Sequence, residues 1–376
     1  MRAFERWQYV SRAPRIVWDL AVRNRYSFHF DQMPMVVRGM SPVARLNMLR
    51  AGLNLAYRRS GGWSWPLNMQ MELTSYCNIR CPVCPVGTKE LTRPAQAMDV
   101  ELFERILDEA GPYLLTLALW GWGEPLLHPQ LAHVLKIARR HPAVTMLSTN
   151  GQTLNRDEVQ GPLRESPPHY LIVAIDGLCD ETNSVYRVGA KLQPALDGVR
   201  ALAEWKRRTG AKLPVLHFRF IAMKHNEHEV PQVREFAAAQ GFDMVSIRGL
   251  SIFDSAKASH GSLVPITDGL RAYGYENGTR QTRSDFICQY AFSYPTVLAD
   301  GTVVACDQDY NGKAPYGTVS RDRSFADVWF GEQAAAVRRT VRDSPHDLNF
   351  CRSCAYADRE ISSCSMDGYQ LRPIEL

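Results

Sequence analysis

No stretch of this sequence approaches the roughly 18 consecutive apolar residues that a membrane-spanning helix requires. The N-terminus, where Arg2, Glu5, Arg6 and Arg12 are scattered among aromatics, lacks the uninterrupted apolar core of a secretory signal. The cytoplasm is therefore the expected compartment. Internal repeats and low-complexity tracts are missing as well, which excludes a solenoid array or a disordered linker. What remains is an ordinary globular composition, 45% hydrophobic and 22% charged over 376 residues, enough for one large and one smaller domain. A disulfide framework is also not what the cysteines suggest. There are nine, an odd count, and with cytosolic features such a number argues for metal or redox chemistry. Cys77, Cys81 and Cys84 form one group, Cys288, Cys306, Cys351, Cys354 and Cys364 another, and Cys179 stands alone.

Charge is unevenly placed. Residues 1–60 hold eleven Arg against Glu5, Asp19 and Asp31, a local balance of +8 within a net +5, so the remainder is slightly acidic. Residues 1–66 read as a basic helical arm. Ser41 and Pro42 suit an N-cap and first helical residue, followed by Val43, Leu46, Leu49, Leu53 and Tyr57 at helical spacing. Such an arm is either a solvated basic face on helices packed against the main domain or a contact for anionic lipid, nucleic acid or an acidic partner. From 67 to 262, short apolar strands alternate with amphipathic helices, the strands starting near Met69, Leu114, Ala143, Tyr170, Val215 and Met244. Six alternations with strands apolar on both faces imply a parallel sheet covered by helices, hence an α/β barrel. From 263 to 376 the alternation stops. Thr296–Leu298, Asp300-Gly301 and Thr302–Ala305 carry a β-hairpin signal, and 324–341 reads as one helix.

Cys77-Asn78-Ile79-Arg80-Cys81-Pro82-Val83-Cys84 sets three thiols within eight residues, directly after the first strand of the alternation. Three thiolates on one loop grip three irons of a cubane and leave the fourth open to an exogenous ligand. A structural zinc site would want a fourth ligand nearby, and the next His is His128. This Cys-x3-Cys-x2-Cys pattern after the first strand resembles the radical S-adenosylmethionine (SAM) superfamily. The resemblance implies a partial (β/α)6 TIM-like barrel and a [4Fe-4S] cluster whose unique iron chelates the amino and carboxylate groups of SAM, yielding a 5'-deoxyadenosyl radical on reduction. An electron donor such as a flavodoxin or ferredoxin is implied too. Gly121-Trp122-Gly123-Glu124-Pro125 is similar to the family's Gly-Gly-Glu-Pro motif, which holds the methionyl amino group, with Trp122 where the first paired glycine would be. By the same resemblance Ser148-Thr149-Asn150 and Asp176 lie near the cofactor, Asp176 as acceptor for ribose hydroxyls, and Arg187 faces the cofactor carboxylate. Singly, each of these also reads as a turn or a helix cap.

The C-terminal cysteines are similar to the SPASM extension of such enzymes, which carries auxiliary [4Fe-4S] clusters. Five are present where the full version has seven, so one auxiliary cluster is expected, on Cys288, Cys306, Cys351 and Cys354. Cys364 is then an alternative ligand, an inert thiol or a hydrogen-atom donor. Cys179 is read as a plain loop cysteine or a second candidate donor. The expected activity is hydrogen abstraction from a substrate carbon, leading to oxidation or epimerisation of a small-molecule or sugar-type substrate, as an oxidoreductase or epimerase. Maturation of a peptide or protein side chain is the alternative. A zinc-dependent nucleic-acid-binding module and an electron carrier are the rivals from other classes. Membrane-surface contact through the basic arm is considered, and nucleic acid is not favoured.

Overall fold

A computed structural model describes residues 14–251, 258–276, 279–281, 286–352, 354–359 and 365–376. In the N-terminal arm, β1 (Arg25–Phe30) and β2 (Met33–Arg38) form an antiparallel hairpin where a helical arm was expected. Its two-residue turn places Asp31 and Gln32 in the left-handed region, at φ 51° and 66°, the conformation a tight hairpin turn of this twist demands. The Asp-Gln pair lacks the glycine that normally announces such a turn, which hid the hairpin in the sequence. The helix Pro42–Tyr57 follows as expected, Ser41 accepting from the Ala44 amide at 3.1 Å.

Six strands then run parallel, each beside the next in sequence: β3 (Asn68–Met71), β4 (Thr116–Leu119), β5 (Val144–Thr149), β6 (Tyr170–Ala174), β7 (Val215–Ala222) and β8 (Met244–Gly249). Helices Val100–Ala110, Leu131–Ala138, Asp157–Glu165, Asp180–Tyr186, Leu192–Thr209 and Val233–Gln240 connect them. Sequential parallel order with helical crossovers is a partial barrel rather than a doubly wound sheet. The helices at 157–165 and 180–186 were not apparent from apolar spacing. Both are short and open with acidic residues rather than an apolar stripe.

After a small hairpin of β9 (Tyr275–Glu276) and β10 (Thr279–Arg280), the extension returns to the barrel. The expected hairpin is β11 (Thr296–Val297) and β12 (Thr302–Val304), with Gly301 at φ +86° in its turn. Beside it lies β13 (Pro315–Thr318), and the chain ends on β14 (Ser365–Gln370). β11 adds parallel to β3 and β14 antiparallel to β8, giving one ten-stranded sheet in the order β13-β12-β11-β3-β4-β5-β6-β7-β8-β14. Both edges of the open barrel are thereby paired. The helix expected over 324–341 is two, Phe325–Trp329 and Glu332–Asp343. Between them Gly331 comes so close to the Asp327 carbonyl that an added Cβ would sit 2.5 Å from it.

The two faces of the strands are buried by different partners. Outward residues such as Leu117, Leu147, Leu171, Phe218 and Val245 pack with the covering helices. Inward residues Ala118, Val144, Met146, Tyr170, Ile172 and Val215 pack with Met33, Met35 and Val37 of the N-terminal hairpin and Ala44 and Met48 of the arm helix. The arm therefore packs against the barrel's inner face and is not an appendage. Among the described residues no helix is long and apolar enough to cross a membrane.

Candidate active site

The loop leaving β3 carries the three thiols and is held by backbone contacts that demand particular residues. Glu124 N donates to the Tyr76 carbonyl at 2.8 Å and Thr74 Oγ1 to the Glu124 carbonyl at 2.9 Å, tying this loop to the end of β4. A Cβ on Gly123 would lie 2.1 Å from the Thr74 carbonyl oxygen, so this close approach requires glycine. Gly87 is likewise pressed on the Cys81 backbone, 2.2 Å from its carbonyl oxygen to a built Cβ. Each thiol is met by a different rim residue. Asn150 Nδ2 donates to Cys77 Sγ at 3.4 Å, Arg187 Nη1 to Cys81 Sγ at 3.8 Å, and Cys84 Sγ lies 3.8 Å from the Trp122 carbonyl. Burial pushes Cys77 and Cys81 up to about 11 and raises Cys84 as well, with Arg187 opposing the rise at Cys81.

Glu124 is fully buried at the end of β4. Its carboxylate accepts from Thr149 Oγ1 at 2.6 Å, the Leu126 amide at 3.0 Å and the Asn150 amide at 2.8 Å. Burial raises its pKa against these donors. A carboxylate offers about four acceptor positions, so one is left for an ammonium group. Thr149 and Asn150 therefore hold Glu124 and the cluster loop, while Ser148 lines the cavity. Asp176 is placed otherwise than expected. It is fully buried, its Oδ2 accepting from Arg187 Nε at 2.6 Å and its Oδ1 from the Ile221 amide at 2.7 Å. Unlike Glu124 it does not line the cavity, so no ribose reaches its oxygens, which corrects the cofactor-hydroxyl role: Asp176 positions Arg187. Burial alone would lower the Arg187 pKa, but Asp176 and Cys81 beside it raise it. Gly121 lines the same cavity and is a second position there that requires glycine. A Cβ there would strike the Glu72 side chain at 2.6 Å.

A family model described as the radical SAM superfamily matches residues 71–237, and one described as an iron-sulfur cluster-binding domain, SPASM, matches 288–355. The chain belongs to the radical SAM superfamily. As a radical SAM enzyme with a SPASM domain it uses SAM, a [4Fe-4S] cluster and auxiliary iron-sulfur chemistry, and the zinc-module reading gives way. It is 23% identical over 318 residues to the tungsten-containing aldehyde ferredoxin oxidoreductase cofactor-modifying protein of Pyrococcus furiosus, covering 77% of this chain and 87% of that one. To the PqqA peptide cyclase of Granulibacter bethesdensis it is 20% identical over 325 residues, covering 81% and 84%. Among solved structures it is similar to Streptococcus suis SuiB bound to precursor peptide SuiA, with TM-score 0.60 and 15% identity over 95% of this chain and 84% of that one. That likeness bears on the fold.

The residues of this radical SAM chain suit the groups the family uses. Among the described residues no three His, Cys, Asp or Glu side chains converge tightly enough for one mononuclear ion, so the fit to a polynuclear cluster rests on donor type and loop placement. Cys77, Cys81 and Cys84 would hold the reducing cluster, which supplies the electron that opens the sulfonium bond of SAM. Thiols this desolvated hold their protons when empty and lose them to metal. In the extension, Cys288, Cys306, Cys351 and Cys354 lie near enough to raise one another's pKa on top of burial, the grouping a second cluster needs. Burial pushes Cys354 up to about 11 and Cys288 upward. Cys364 lies outside the described residues. Cys179 is exposed at the start of helix 180–186, 3.3 Å from Thr182 Oγ1, and does not line the cavity, which removes it as a hydrogen donor there.

A cavity of about 700 Å³ opens above the thiol loop. Its walls come from the barrel rim, from the N-terminal hairpin tip at His29–Gln32, and from Tyr290, Tyr294, Asp307, Tyr356 and Arg359 of the SPASM extension. Trp122 crosses between the two cysteine groups: its indole N–H donates to the Asp307 carbonyl at 2.9 Å, one residue beyond Cys306. Burial raises the Asp307 carboxyl while Tyr356 donates to it at 2.7 Å. The hairpin tip, Asp307, Tyr356 and Arg359 were not picked out as site residues. The available signal was Arg219 and Arg248, charged residues within apolar strands, which fix the tip through Asp31 at 2.9 and 3.7 Å.

Proposed function

We propose that this radical SAM enzyme matures a peptide or protein side chain rather than oxidising or epimerising a free small molecule or sugar. The observation that carries the reading is the aromatic wall of the cavity that the thiol loop also lines. Tyr290 stacks on Tyr356 at 4.5 Å and on Tyr294 at 5.7 Å, with Phe30 edge-on to Tyr294 at 6.0 Å. A cavity lined by both the cluster loop and such a wall sets rigid aromatic faces with few rotatable bonds, which suit side-chain recognition, beside the cofactor residues. Phe292 and Trp65 pack in the core instead, and Trp63 lies on the surface. Relatives named as PqqA peptide cyclases and a fold neighbour solved with a precursor peptide support this over the small-molecule reading.

Within this proposal Glu124 and Arg187 orient the cofactor, Asp176 fixes Arg187, and the auxiliary ligands Cys288, Cys306, Cys351 and Cys354 hold a redox group that takes up a substrate electron. A flavodoxin- or ferredoxin-type donor supplies the reducing electron. The test uses reconstituted, reduced enzyme with SAM and two fractions of a cell extract from the source organism, peptides and low-mass non-peptide metabolites, in deuterated water. Peptide-dependent 5'-deoxyadenosine formation is expected, with a peptide two mass units lighter for oxidation or crosslinking, or carrying solvent deuterium for epimerisation. Stimulation by the non-peptide fraction alone would return the assignment to a small molecule.

A further inference from the structure

The arm helix Pro42–Tyr57 is built inside out for a helix on a water-facing surface. Its buried face consists of Ala44, Asn47, Met48, Ala51 and Asn54. Asn47 is used there, its Oδ1 accepting from the Trp65 amide at 2.8 Å. The large apolar side chains point outward instead: Val43 is 57% exposed, Leu46 47%, Leu49 45%, Leu53 51% and Tyr57 70%. Those are the residues whose helical spacing marked the helix in the sequence, and they stay exposed among the described residues. A soluble surface helix turns its apolar stripe to the core, and contiguous exposed apolar stripes on monomers mark interaction surfaces. The adjoining segment continues it. Helix 14–21 packs through Leu20 on the same core as Ala44 and Met48, Arg45 donating to the Leu20 carbonyl at 3.2 Å, and exposes Val17 and Trp18, with Val22 exposed just past its end.

Charge identifies the partner. No Asp or Glu occurs from Gln32 to Met71, while Arg38, Arg45, Arg50, Arg58 and Arg59 do. Exposed Arg50 sits within the stripe, and Arg59 lies over the Trp63 ring at 3.4 Å at its end. An apolar face edged mainly by arginine, where the nearby acids Asp19 and Asp343 are already paired with Arg15, Arg23 and Arg342, and anchored by tryptophan and tyrosine has the makeup of a helix lying in the interface of an anionic bilayer. We infer that the Val43–Tyr57 stripe, with Trp18 beside it, docks this enzyme on an anionic membrane surface. A second copy of the chain would place this excess of arginine against itself, and a nucleic acid would leave the apolar residues in water.

The inference goes beyond the proposed peptide chemistry and is tested apart from it. Purified full-length protein is floated with vesicles of phosphatidylcholine alone or mixed with phosphatidylglycerol. Binding to the anionic vesicles is expected to exceed that to the neutral ones by about tenfold or more and to weaken with salt. Leu46→Glu with Leu53→Glu should abolish it, leaving thermal unfolding and SAM cleavage unchanged because both side chains face outward. Arg50→Gln with Arg59→Gln should remove the preference for anionic lipid. Equal or no binding to the two vesicle types overturns the inference, as does a dimer in solution that the double Glu variant dissociates.

Discussion

Arg187 is the residue through which the cofactor side of the site is most exposed to its surroundings. Its guanidinium touches the Asp176 carboxylate on one edge and the Cys81 sulfur on the other, so its position registers both the strand-end anchor and the cluster loop. Asp176→Asn keeps the shape and removes the charge. A charged hydrogen bond of this kind is worth about 2 kcal/mol, or roughly thirtyfold in an equilibrium. The expected outcome is a KM for SAM raised by about that factor, with kcat for 5'-deoxyadenosine lowered less and the iron content of the Cys77–Cys84 loop retained. An unchanged KM, or loss of the iron, would show that Asp176 serves the loop's folding instead. Legibility at this scale was uneven for a physical reason. Cysteine spacing on one loop is local and could be read directly. Whether Asp176 faces a ligand or an arginine depends on which strand ends meet above the barrel, and no local pattern encodes that.

Among the elements, the N-terminal hairpin is the one whose role is set by a single buried charge. Asp31 sits at its turn, accepting from Ser365 Oγ at 2.7 Å and paired with Arg219 of β7 and Arg248 of β8. Burial would raise its pKa, but the two guanidiniums overcome this and hold it well below the usual carboxylate range. A carboxylate depressed in the folded state contributes stability that is full above its unfolded pKa and fades as pH falls below it. Removing one member of such a buried set costs about 3–5 kcal/mol. Asp31→Asn should therefore lose about that much in urea unfolding of the metal-free protein at neutral pH. The gap to the parent protein should stay constant down to about pH 5 and narrow below about pH 4, where the parent's carboxyl becomes protonated in the unfolded chain. A gap independent of pH would mean that the loss comes from the turn's geometry. The parallel strands could be read in the sequence because both their faces are apolar. The hairpin could not, because its turn lacks glycine and its alternation of Met33, Met35 and Val37 is short.

For the molecule as a whole, barrel and extension share a seam. Glu72, just past β3, is bidentate to Arg93 Nη2 at 2.9 and 2.8 Å, accepts the Ala299 amide beyond β11 at 3.0 Å, and donates its own amide to the Val297 carbonyl. Arg93 in turn donates Nε to the Tyr310 carbonyl at 2.7 Å. Trp122 bonds Asp307 across the same boundary, and β11 continues the sheet from β3. A change of composition near residue 263 marks the extension in the sequence, which reports where the alternation stops and not which strand the chain pairs with afterwards. Units joined by a shared sheet and a buried ion pair are expected to open as one cooperative unit. Arg93→Met leaves Glu72 buried without its partner, a loss of about 3–5 kcal/mol. In metal-free protein, helix signal and tryptophan fluorescence should shift to lower urea together, as one transition. Backbone amides of β12 and β13 in the extension exchanging with deuterium at lower urea than those of β4 to β6 would show instead that the extension folds on its own and that the seam merely fastens two finished parts.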